Sequence, residues 1–153
     1  MISNRVSQPK YESNVMLTPE GGLAVLMLNH TNEVSVKGTV VHPSAATAGA
    51  VLKSYMGVPD AIGVIYNSGV PNEGYVWVVM SGIADVLFVG DTVMGHLART
   101  FVASETETYA LGKALSEAVP TPPFASDKHF CEIGHVIESR TGAGLAKCVL
   151  HFN

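Results

Sequence analysis

Tyr75-Val-Trp-Val-Val-Met80 and, five residues on, Val86-Leu-Phe-Val89 are the stretches that decide the fold class. Each is a short apolar run of four to six residues, and turn residues stand around them: Pro71-Asn72-Glu73-Gly74 before the first and Gly90-Asp91 after the second. Short, β-branched and aromatic runs punctuated by Gly and Pro read as strands, because helices need longer periodic segments and lose stability at Gly. Odd and even positions of Tyr75–Met80 are both apolar, as in a strand covered on both faces. Turn signals about every ten residues point to an all-β sandwich or barrel.

Working outward, Leu23-Ala-Val-Leu-Met-Leu28 and Glu33–Val41 repeat the pattern, the latter ending at His42-Pro43. Ala45–Tyr55 fits a short helix or a loop. Ser104-x-x-Glu107 has the form of a capping box, and Leu111, Ala114, Leu115 and Ala118 fall at helical spacing. Gly112 argues against that helix. The echo of Ile62-Gly-Val-Ile65, Leu111-Gly-Lys-Ala-Leu115 and Ile133-Gly-His-Val-Ile137 instead reads as three strand starts whose Gly allows close backbone approach, so 109–115 is expected as strand. Residues 119–129, with Pro120, Pro122 and Pro123, are a loop. The expected organisation is an extended N-terminal arm over 1–22 and one β-rich domain over 23–153.

The 153 residues contain 21 Val, are 47% hydrophobic and only 14% charged, and so can bury a real core. Nine basic against 13 acidic residues give a net charge of −4 with no basic tract, which argues against nucleic acid as a partner. The N-terminus lacks an apolar signal core, and the apolar stretch 75–90 is broken by Ser81, Gly82 and Asp85, short of the roughly 18–20 residues of a membrane helix. The expectation is therefore a chain made in the cytoplasm, with no membrane partner and with Cys131 and Cys148 as reduced thiols. Asn29-His-Thr31 is read as a chance match to a glycosylation sequon.

His129, Cys131, His135, Cys148 and His151 crowd the C-terminus at spacings that invite a metal reading. Strict alternation in a hairpin of 130–137 with 145–152 divides them. It places Cys131, Ile133, His135 and Ile137 on one face with Ala146, Cys148, Leu150 and Phe152, and turns His151 to the other. A turn near Thr141-Gly142 would put His135 beside Cys148. On that reading neither a metal, a cofactor nor a disulfide is expected. No G-x-S-x-G, P-loop, G-x-G-x-x-G or H-E-x-x-H motif occurs, and Asp85 and Asp91 read as turn-capping carboxylates, so no catalytic residue is assigned.

His129-Phe-Cys-Glu-Ile-Gly-His-Val-Ile-Glu138 and Leu145-Ala-Lys-Cys-Val-Leu-His-Phe-Asn153 resemble the ending of small structural proteins of tailed bacteriophages. Val36-Lys-Gly-Thr-Val-Val41, Ala61-Ile-Gly-Val-Ile65 and the strand Val76–Gly82 resemble head-decoration, capsid-stabilising proteins of the same viruses. The resemblance covers about residues 33–153; the 100–129 region is an addition relative to the shortest such proteins. It implies a non-enzymatic β-rich subunit, often a homotrimer, on the exterior of the virion shell, clamping subunits of the major capsid protein. It also implies an N-terminal segment lying on the capsid. Within that segment Arg5, Pro9 and Tyr11 are the expected capsid contacts, because Arg and Tyr dominate binding hot spots and Pro lowers the entropy lost on docking. The alternatives are a fibre or receptor-binding knob and a small trimeric β-fold enzyme with aspartates at subunit interfaces.

Overall fold

The computed structural model describes residues 14–55, 60–100, 111–121 and 131–152. Among these there is no helix, and ten strands form one mixed sheet: β1 (Val15–Leu17), β2 (Gly22–Asn29), β3 (Val40–Pro43), β4 (Ala50–Lys53), β5 (Gly63–Ile65), β6 (Tyr75–Phe88), β7 (Leu97–Thr100), β8 (Ala114–Glu117), β9 (Glu132–Val136) and β10 (Gly144–Leu150). The fold is all-β, as the spacing of the apolar runs predicts.

The two runs that decide the fold class are one strand rather than two. Ser81, Gly82 and Asp85, which read as punctuation, lie inside the 14-residue β6. The length is used. Residues 75–82 pair with β2 on one edge, and Val78 and Val79 pair with β5; residues 82–88 pair with β10, and Phe88 meets Ala114 of β8. The strand order is β1-β2-β4-β3-β5-β6-β10-β9-β7-β8, with further pairings β2–β6 and β6–β8. These pairings close two rings of strands, β2-β4-β3-β5-β6 and β6-β10-β9-β7-β8, which share β6. Closure leaves few free edges and gives each ring an interior that side chains fill.

The interiors follow from alternation. Met27, Val41, Val51, Ile65, Val76 and Val78 supply one apolar cluster, drawn from every strand of the first ring. Ala84, Val86 and Phe88 of β6 continue into a second cluster with Ala98, Ala114, Ile133, Val136, Ala146, Cys148 and Leu150. Ala24, Val40, Val64 and Val79, from the opposite side of the first ring's strands, join this second cluster. Phe88 is fully buried, a burial that contributes about 1.5–3 kcal/mol. Trp77 and Phe152 are partly buried and pack against the same cluster.

Regular structure begins earlier than residue 23. Val15–Leu17 forms β1, paired antiparallel with Leu23–Val25, and Pro19 serves the turn between them, where it blocks no ladder bond. The expected arm over 1–22 thus has residues 15–17 in the sheet, while Arg5, Pro9 and Tyr11 lie outside the described residues. Ala45–Tyr55 holds neither helix nor loop alone, since Ala50–Lys53 is β4. Of the expected strand 109–115, the described part becomes strand only at Ala114, and Leu111-Gly112 is a turn.

Asn29 shows why its sequon is not an acceptor here. The residue is fully buried. Its amide nitrogen donates to the carbonyls of Glu33, Val70 and Pro71, and its oxygen accepts from the Thr31 backbone N–H and hydroxyl. The side chain pins the 29–35 and 67–74 loops together at one end of the first ring.

Candidate functional site

The C-terminal hairpin departs from strict alternation. β10 keeps it: Ala146, Cys148 and Leu150 point inward, with Lys147 and Val149 outward. β9 does not. Ala98 of β7 stands opposite Gly134, but its neighbour Arg99 stands opposite Glu132, so Ile133 is the extra residue of a β-bulge. Gly134 makes the bulge possible, with φ +154° and no room for a side chain against the Val149 carbonyl. Inward parity switches across it, from Cys131 and Ile133 to Val136.

This overturns the face assignment made from alternation. His135 turns outward, opposite Val149 and not Cys148, whose partner is Val136. His151, expected on the other face, is on the same side as His135: His135 Nδ1 lies 2.9 Å from His151 Nε2. The rings lie 5.0 Å apart, centre to centre. Glu132 joins them, its Oε1 at 3.5 Å from His135 Nδ1 and 3.2 Å from His151 Nε2. Its side chain is 3% exposed, against 45% and 44% for the two histidines. Cys131 and Cys148 are buried free thiols elsewhere in the core. Burial first, then the charges of Asp85 and Glu138, push the Cys148 thiol up to about 12. Sequence reasoning missed Glu132 as a partner of the histidines. The available signal was Gly134, since a Gly inside a strand pattern often marks a bulge.

Of the two aspartates, Asp91 caps a turn as expected, accepting the Gly142 N–H. Asp85 does not. It lies mid-strand in β6, with Oδ2 3.0 Å from Lys37 Nζ and Oδ1 2.9 Å from Lys147 Nζ. Lys37 also reaches Glu20 at 3.3 Å and sits 4.9 Å above the Tyr66 ring. Burial alone would raise the Asp85 carboxyl, but the hydrogen bonds and charges of Lys147 and Lys37 outweigh it and hold it below its ordinary value. Lys147 is held up chiefly by its bond to Asp85. The group ties β10 and the loops before β2 and β3 to the shared strand. It is a brace, with every charge answered by an opposite one.

Apolar side chains at the N-terminal end of the sheet face outward. Leu17 is 78% exposed and stands directly opposite Leu23, itself 39% exposed. These two flank the turn that joins β1 to β2. Near the other end of β6, Asp91, Thr92, Val93, Ser139, Arg140 and Thr141 line a recess of about 310 Å³.

Neither the protein-family models nor the curated proteins compared with this chain give a match. Among solved structures, the fold resembles the head fiber gp8.5 N base of bacteriophage phi29, with a TM-score of 0.52 at 12% sequence identity. The likeness covers 84% of this chain and 92% of that one.

Proposed function

We propose that this chain is a non-enzymatic structural protein of a tailed-phage head, bound to the outside of the shell as a decoration subunit. The observation that carries the reading is the fold likeness to a head-fibre base, which runs through most of both chains. A cement protein needs no active site; it needs a modest contact repeated over the lattice, so that multivalency makes a weak single contact hold. In this reading the partner is the major capsid protein and the subunit is a homotrimer. The contacts are made by Arg5, Pro9 and Tyr11 and extended by the exposed Leu17–Leu23 pair. An extended segment can also add backbone pairing to a capsid strand edge.

A second reading is favoured by the same likeness: the chain is the base by which a fibre stands on the head. Both attach to the shell, but a decoration subunit occupies its site at every lattice position and a fibre base only a sparse set.

The test is to mix undecorated capsids with the full chain and with a chain lacking residues 2–13, a deletion that spares β1. Cryo-electron microscopy then counts occupied sites. Dense occupancy by the full chain, lost in the deletion, supports decoration through the arm. Sparse occupancy turns the reading to a fibre base. Undiminished binding of the deletion removes the arm from the interface, and no binding by the full chain removes the capsid reading.

A further inference from the structure

We propose that Glu132, His135 and His151 form a binding site for a transition-metal dication of the zinc type. Three ligand atoms, one from each residue, converge on a single point: Glu132 Oε1, His135 Nδ1 and His151 Nε2 are separated by 2.9, 3.2 and 3.5 Å. In a tetrahedral zinc site with bonds of about 2.0–2.1 Å, neighbouring ligand atoms stand about 3.3 Å apart. The observed triangle brackets that spacing. A point about 2.05 Å from all three atoms lies roughly 0.9 Å off their plane, as the ion does when a fourth ligand completes the tetrahedron.

Proton chemistry answers this triangle poorly. With both imidazoles neutral, each carries one N–H, and whichever nitrogens hold them, at least one of the three close contacts sets two lone pairs or two N–H groups against each other. A cation at the centre satisfies all three at once. The donor set selects its class: two imidazole nitrogens and one carboxylate suit zinc and its neighbours, whereas calcium and magnesium require oxygen shells. The buried carboxylate is held by the sheet, and the half-exposed histidines leave the fourth position open to water.

The ligands also come from parts of the chain that a metal would join usefully. Glu132 and His135 are on β9, and His151 directly follows β10, its backbone N–H already bonded to the Ile133 carbonyl. An ion there staples the last strand's end to the bulge of its neighbour. This site is independent of capsid binding and uses none of the residues assigned to it.

The full chain, stripped with chelator and dialysed, is titrated with zinc chloride by calorimetry and with cobalt chloride by absorption. One ion per chain is expected. At a zinc excess of about a hundredfold over Kd, the melting temperature should rise by roughly 5–10 °C. His135→Ala and His151→Ala should each weaken zinc at least about tenfold, while His30→Ala, at a histidine outside the triangle, should leave it unchanged. Circular dichroism checks that each variant folds; His135→Gln replaces His135→Ala if the latter does not. The cobalt spectrum should lack a thiolate charge-transfer band. Absence of binding, full-affinity binding in the double variant His135→Ala/His151→Ala, an equal loss in His30→Ala, or a thiolate band would each overturn the site.

Discussion

Gly82 of β6 lies so close to Gly21 that a Cβ on it would stand 2.4 Å from the Gly21 carbonyl oxygen. Gly82 also has φ +81° at the point where the strand passes from one ring of partners to the other. A side chain there meets both a strained backbone and a collision with main chain. Gly82→Ala should cost at least about 2 kcal/mol, read as a lower urea midpoint with an unchanged slope. A midpoint equal to that of the parent would show that the β1–β2 turn and β6 separate freely.

Asp85 sets a pH dependence whose sign is fixed. Its folded carboxyl titrates below its unfolded value of about 3.9. Its contribution is therefore complete above that pH and is lost as pH falls through the folded value. Asp85→Asn should lower stability at pH 7 by about 1–2 kcal/mol, because the Lys37 and Lys147 ammonium groups lose their shared partner. The same variant should show a shallower decline as pH falls below about 4. Denaturant unfolding at pH 7 and at a series of acid pH values measures both effects.

At Asn29 the isosteric change to Asp separates chemistry from shape. A carboxylate there cannot donate to the carbonyls of Glu33, Val70 and Pro71, and it is fully buried. Asn29→Asp should cost about 3 kcal/mol or more at neutral pH. Thermal melting should show a single transition at a lower temperature.

The thiols predict a labelling pattern. Cys131 and Cys148 are both buried, and Cys148 is pushed up to about 12. At pH 8 a thiol-specific reagent should label the folded protein negligibly on a timescale of minutes, and two thiols per chain after denaturation. Rapid labelling of the folded chain would place a cysteine at the surface.

The all-β class was legible because Tyr75–Met80 and Val86–Val89 are built of β-branched and aromatic residues between turn formers. Their union into one strand was not, since Gly82 reads locally as a break and becomes a kink only through its partners. β1 escaped notice because three residues carry too little pattern and owe their pairing to β2. At the C-terminus the inward face of β10 followed from alternation alone. The facing of His135 did not, because one extra residue at the bulge reverses parity and alternation has no means of counting it. Gly134 was the visible mark. Arg5, Pro9 and Tyr11 rest on residue type, and their placement belongs to the capsid experiment.

Because β6 belongs to both rings, the order in which the chain is made constrains how it can fold. β2 is complete about fifty residues before its long partner exists, and the far half of β6 then waits about sixty more for β10. Until the last strand arrives, the central strand of the molecule presents open ladder bonds and an apolar face to whatever else is in solution. Yield on expression should therefore be governed by how quickly residues 144–150 reach β6 rather than by the stability of the finished fold. Once they do, β6 cannot leave its place without breaking both rings, which favours slow unfolding.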